Sequence, residues 1–129
     1  MTLTEVQAFQ AARDKINNGS SAVGKYQFMP STLFGRTDKK GNHIPGLVDQ
    51  LGLSMDTKFT GPIQEQLQEL LISYHNAYEQ GQINKDELVS LMQGINIMEG
   101  LGDDVDSLYR KEQLNTILNA AISAASMLA

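Results

Sequence analysis

Ser20-Ser21-Ala22-Val23-Gly24-Lys25-Tyr26-Gln27-Phe28-Met29-Pro30-Ser31-Thr32-Leu33 is the stretch on which the reading of this chain turns. Two serines and a glycine lead into an aromatic residue followed by a carboxamide. Pro30-Ser31-Thr32 then opens a short helix through Leu33-Phe34, because proline's missing N–H is one of the unpaired donors of a first helical turn. Ordinary helical or strand periodicity does not account for residues 20–29. The segment predicts a tight turn that delivers Tyr26 and Gln27 to a fixed place, a ring and a two-way hydrogen-bonding amide beside a glycine that permits close backbone approach. The plainer reading of the same residues makes Tyr26 a half-buried core aromatic and Gln27 a brace for the loop. Ser20 and Ser21 read as turn formers rather than nucleophiles, since no histidine stands near them in sequence.

Upstream, Thr2 and Glu5 have capping-box spacing, and Leu3, Val6, Phe9, Arg13 and Ile16 recur at intervals of three or four. This predicts an amphipathic helix stopped by Asn17-Asn18-Gly19. Downstream, Gly35 to Pro45 breaks the pattern, with Asp38-Lys39-Lys40-Gly41-Asn42 as an exposed tip, either of a short hairpin or of a plain loop. Residues 46–53 predict a short helix closed by a glycine. Thr60 and Pro62 start a longer one whose stripe is Ile63, Leu67, Leu70, Leu71, Tyr74, Ala77 and Tyr78, ending near Gln80-Gly81. Asn84 and Glu87 repeat the capping pattern ahead of Leu88, Leu91, Met92, Ile95 and Met98. A last helix runs from about Ser107 through Leu114, Ile117, Leu118, Ala121 and Ala125. The fold class expected is mainly α, in one domain spanning 1–129.

Composition narrows the chemistry. The 129 residues contain no cysteine, so there is no disulfide framework and no thiolate nucleophile or metal ligand. Fifteen acidic against ten basic residues give a net charge of −5, which argues against nucleic acid, whose affinity rests on Lys and Arg displacing counterions. Neither a signal peptide nor a membrane span is expected, for no charged leader precedes an apolar run and no long apolar stretch occurs. His43 and His75 lack a second ligand at metal spacing, so no metal or other cofactor is expected. Asp103-Asp104-X-Asp106 lacks the glycine and terminal glutamate of a calcium loop and reads as helix capping. The methionines Met92, Met98 and Met127 read as core filler. Ala120-Ala121-Ile122-Ser123-Ala124-Ala125 permits close approach of another helix, in this chain or in a partner subunit.

The 20–33 segment resembles the second sequence block of the lysozyme-like superfamily, which contains soluble lytic transglycosylases and phage or prophage lysozymes of the lambda endolysin type. There a serine, a small residue and a glycine precede an apolar or aromatic pair ending in glutamine. Met1 to Gln10 is similar to the helix before that block. Leu51-Gly52-Leu53 with Phe59-Thr60, and Gln64-Glu65-Gln66-Leu67, follow in register. Gly81-Gln82-Ile83 and then Leu91 to Gly102 are weakly similar to a segment that ends, in the family, in a Trp-Ala-Ser-Leu-Pro pattern. Here that pattern reads Met98-Glu99-Gly100-Leu101-Gly102, without the tryptophan and proline. The likeness covers 1–102 and is most specific over 20–33.

The resemblance implies a lysozyme-like helical domain that binds or cleaves peptidoglycan glycan strands, with Ser21, Gly24, Tyr26 and Gln27 lining the sugar cleft. It implies a phage virion, tail or host cytoplasm as the location. The family's proton donor is a glutamate followed by serine or glycine, upstream of the first helix, and no such pair stands at or ahead of the first helix here. Glycoside cleavage needs a carboxylic acid of raised pKa within reach of the leaving oxygen. Glu5 is the candidate to replace it, nineteen positions before Gly24, although a first-turn glutamate is also explained by capping and by the helix dipole, which favours the ionised form. The rival expectation is an inactive lysozyme-like subunit of a phage particle, contacting other virion proteins through its C-terminal helix.

Overall fold

The computed structural model describes residues 1–16, 20–92 and 101–128. The Asn17-Asn18-Gly19 stop, Ile95 and the Met98 to Gly100 part of the altered motif lie outside these residues. Among the described residues there are six helices and one two-stranded hairpin, so the chain is mainly helical. In order these are α1 (Leu3–Asp14), α2 (Pro30–Phe34), β1 (Arg36–Thr37), β2 (His43–Ile44), α3 (Leu47–Gln50), α4 (Gly61–Glu79), α5 (Lys85–Met92) and α6 (Val105–Ser126).

Local chemistry explains most boundaries. Thr2 Oγ1 accepts the Glu5 N–H at 3.2 Å while Glu5 Oε1 accepts the Thr2 N–H at 2.9 Å, a reciprocal box that starts α1. Thr60 Oγ1 accepts the Ile63 N–H at the head of α4, with Pro62 in the first turn. Asn84 and Glu87 exchange the same pair of bonds ahead of α5. Asp104, within the Asp103-Asp104-X-Asp106 stretch read as capping, is the N-cap of α6, which starts at Val105, two residues before the expected start near Ser107.

The 35–45 segment is a hairpin rather than a plain loop, with Arg36 opposite Ile44 and Thr37 opposite His43. Its tip is wound about Asp38, whose Oδ1 accepts the N–H groups of Lys40 and Asn42, both at 2.9 Å. At its base two glycine backbones pass so closely that a Cβ on Gly46 would lie 2.4 Å from Gly35 N and 2.4 Å from Leu33 O.

The buried apolar residues form one cluster. The packing of α6 along α4 is its largest helix pair, uniting Leu67, Leu70, Tyr74 and Ala77 with Leu114, Ala121 and Ala125. The small-residue stretch of α6 thus serves a neighbour within the chain, as Ala121 and Ala125 let the helices come close. Leu3, Val6, Phe28, Leu33, Leu47 and Val48 complete the cluster at the other end. In the first helix the predicted apolar stripe is corrected: Phe9 is 45% exposed and Ile16 52% exposed, while Gln10 is fully buried against the 20–28 segment. A polar side chain occupies the interior there because backbone carbonyls of that segment need a donor. No described helix is long and apolar enough to cross a membrane.

Candidate functional site

The turn at 24–27 is closed by a bridge between Val23 and Phe28, each N–H donating to the other's carbonyl at 3.0 and 2.9 Å. Gly24 stands at φ +75°, and Gln27 at φ +55° is the one non-glycine residue in the left-handed region among those described. A Cβ on Gly24 would also lie 2.4 Å from Gln64 Oε1, so a side chain there would push Gln64 off its bond to the Lys25 N–H. Behind the turn, the buried Gln10 amide donates to the carbonyls of Ser21 at 2.9 Å and Phe28 at 3.1 Å, joining α1 to both flanks. Phe28 sits between Tyr26 and Phe59 in two edge-to-face contacts with centroids 5.9 and 6.3 Å apart.

The front of the turn is fastened to the first turns of α4. The Lys25 N–H donates to Gln64 Oε1 at 2.9 Å, and Glu65 Oε1 accepts both the Tyr26 hydroxyl at 2.6 Å and Lys25 Nζ at 3.2 Å. Lys25 Nζ also lies 5.2 Å from the centre of the Tyr26 ring. The Tyr26 hydroxyl, then Lys25, hold the Glu65 carboxyl below its ordinary pKa; Glu65 in turn pushes the Tyr26 phenol and the Lys25 ammonium up. Glu65 is therefore an ionised acceptor at neutral pH, not a proton donor.

Of the residues predicted from sequence, Gly24, Tyr26 and Gln27 come together at this turn. Tyr26 is half-buried; Gln27 is exposed, and its Nε2 donates to Gly24 O at 2.8 Å while its side-chain carbonyl faces no donor among the described residues. The Gln27 side chain thus braces the turn that carries it. Ser21 is buried and contributes its backbone carbonyl to Gln10, not its hydroxyl to the surface. Ser20 Oγ accepts the Ala22 N–H at 3.3 Å, a turn-forming bond. Glu5 is exposed in its capping box, and the Thr2 backbone and side-chain hydrogen bonds lower its pKa, opposite to what a general acid requires.

Beside the turn opens a cavity of 310 Å³, lined by Met1, Val6, Phe9, Ala22, Val23, Gly24, Phe59 and Gln64. Its size is at the lower end for small-ligand sites, about 300–1,000 Å³, and its mainly apolar walls with a single carboxamide match their usual chemistry. The exposed Phe9 ring, out of place on a core stripe, is part of this wall. Gln10, Gln64 and Glu65 were not legible as site residues from their own surroundings; for Gln64 and Glu65 the one signal was their register with the resemblance. No group of three or more His, Cys, Asp or Glu able to hold a metal comes together among the described residues, and His43 Nε2 instead lies 2.8 Å from Asp49 Oδ2.

Compared with protein-family models, curated proteins and solved structures, the chain matches none of them.

Proposed function

We propose that this chain is a lysozyme-like module of phage type that engages the glycan strands of bacterial cell-wall peptidoglycan. One observation supports this above others: the exposed Gln27 side chain is bonded to the Gly24 carbonyl of a turn whose Val23 and Gly24 line an open cavity, walled also by Val6, Phe9 and Phe59. Apolar walls suit the C–H faces and N-acetyl methyls of amino sugars, and a carboxamide can give and take hydrogen bonds with their amides and hydroxyls. Glu5 and Glu65 are both held in the ionised form, so cleavage would need a proton donor other than them.

The test is retention on pelleted, purified peptidoglycan together with a turbidity assay. The parent chain is expected in the pellet, Gln27→Ala and Phe9→Ala in the supernatant, and turbidity unchanged by the parent. A parent that stays in the supernatant overturns the reading. Clearing by the parent that Glu5→Gln abolishes would make the module an enzyme with Glu5 as its acid.

A second reading, a structural subunit of a phage tail or baseplate, is favoured by the exposed Val105, Leu108 and Tyr109 at the start of α6. Such a row of apolar side chains suits a protein contact. An absence of peptidoglycan retention, joined with loss of particle assembly in a Val105→Ser/Tyr109→Ser variant, would put this reading first.

A further inference from the structure

Gln27 holds a backbone conformation that non-glycine residues seldom adopt, and it does so in a turn of four residues with few internal hydrogen bonds. Such a conformation persists only where the surroundings over-determine it. Within the turn there are only the Gln27 N–H to Gly24 O bond at 3.2 Å and the Gln27 Nε2 to Gly24 O bond at 2.8 Å. The Val23–Phe28 bridge and the Gln10 amide hold the two flanks, and the residues inside the turn are held from α4: Gln64 accepts the Lys25 N–H, and Glu65 gathers the Tyr26 hydroxyl and Lys25 Nζ on one oxygen. These contacts grip the two residues before Gln27 while the bridge holds Phe28 after it, so Gln27 at φ +55° lies between two fixed points.

We propose that Gln64 and Glu65 are positioning residues that lock the 24–27 turn, and through it the Gln27 carboxamide, in the arrangement that meets ligand; this rests on the binding role proposed above for the same turn. The short Tyr26–Glu65 bond is the stronger half of the lock, being charge-assisted and half-buried. The Lys25–Glu65 ion pair is largely exposed and adds little by itself. A carboxamide at position 65 still accepts the Tyr26 hydroxyl, whereas a methyl group does not.

The experiment compares the parent with Glu65→Ala, Glu65→Gln and Tyr26→Phe in labelled protein. It reads the intraresidue amide-to-Hα NOE of Gln27, strong only at positive φ, together with melting temperature and peptidoglycan retention. In Glu65→Ala and Tyr26→Phe the Gln27 NOE is expected to weaken and retention to fall by about tenfold or more, one decade of Kd, with the overall fold kept. Glu65→Gln is expected to restore both in part. A Gln27 NOE that is as strong in Glu65→Ala and Tyr26→Phe as in the parent overturns the proposal. If Glu65→Ala does not fold, Tyr26→Phe, which removes one hydroxyl, decides alone. Should the parent itself fail to bind peptidoglycan, the functional reading falls while the NOE still decides whether α4 sets the turn.

Discussion

Gln10 reaches out of α1 to donate from one nitrogen to two carbonyls, those of Ser21 and Phe28, at 2.9 and 3.1 Å. These are the two ends of the segment that carries the candidate site, so the first helix and the turn are locked to one another through a buried amide. Phe28 O also receives the Val23 N–H, but Ser21 O receives no other donor among the described residues.

Gln10→Leu keeps the volume and removes the donor. The expected loss is about 1–2 kcal/mol by urea denaturation, since one buried carbonyl is left without a partner. It is limited because Gln10 Oε1, buried without a partner among the described residues, disappears as well. Gln10→Glu should be worse at neutral pH than in acid, for a buried carboxyl resists ionisation and its raised pKa makes stability fall as pH rises.

The glycines at 46 and 41 should respond very differently to alanine. A methyl group at Gly46 meets backbone of Leu33 and Gly35, which cannot swing aside as a side chain does, and a loss of about 3 kcal/mol is expected. Gly41 faces open space at φ +83°, so only its conformation is penalised, by about 1 kcal/mol. Thermal melts of the two variants side by side check the contrast.

Arg110 clasps Glu87 across the α5–α6 contact, with Nε donating to Oε2 at 2.9 Å, Nη2 to Oε1, and Nη1 donating to Gln113 Oε1 at 3.3 Å. Burial works against the Glu87 charge, but Arg110 and the Asn84 N-cap outweigh it and hold the pKa below 4.5. Arg110→Met should cost about 2 kcal/mol at neutral pH. Because the folded pKa is the lower one, the pair's contribution is complete above the unfolded carboxylate pKa and is lost as pH falls through the folded value. The gap between parent and Arg110→Met should therefore narrow from near pH 4.5 downward, measured by denaturation at successive pH values.

Tyr74 is wholly buried, and its hydroxyl donates to Gln50 Oε1 at 2.6 Å, while Gln50 Nε2 reaches Leu91 O at 3.4 Å. This short chain joins α3, α4 and α5. Tyr74→Phe should lower stability by about 1–2 kcal/mol by leaving the Gln50 acceptor unpaired. Burial pushes the Tyr74 phenol far above its ordinary value, so in an alkaline absorbance titration it should ionise only when the protein unfolds.

The helical character, the caps at Thr2, Thr60 and Asn84, and the helix begun by Pro30 were all readable along the chain. Each depends on groups three or four residues apart, whose meeting is dictated by backbone geometry alone. The turn at Gly24 was readable for the same reason, because a glycine between two patterned segments signals a conformation that other residues avoid. The bonds that make that turn a candidate site were not. Tyr26 and Glu65 stand 39 residues apart, Gln10 and Phe28 18 apart, Arg110 and Glu87 23 apart. Periodicity placed Phe9 inward and left Gln10 unremarked; the structure reverses them, because the Ser21 carbonyl brought beside α1 needs a donor more than the core needs a ring. Local geometry thus follows from sequence directly, whereas the partner of a polar group is decided only when the packing of distant helices determines which groups lose their water.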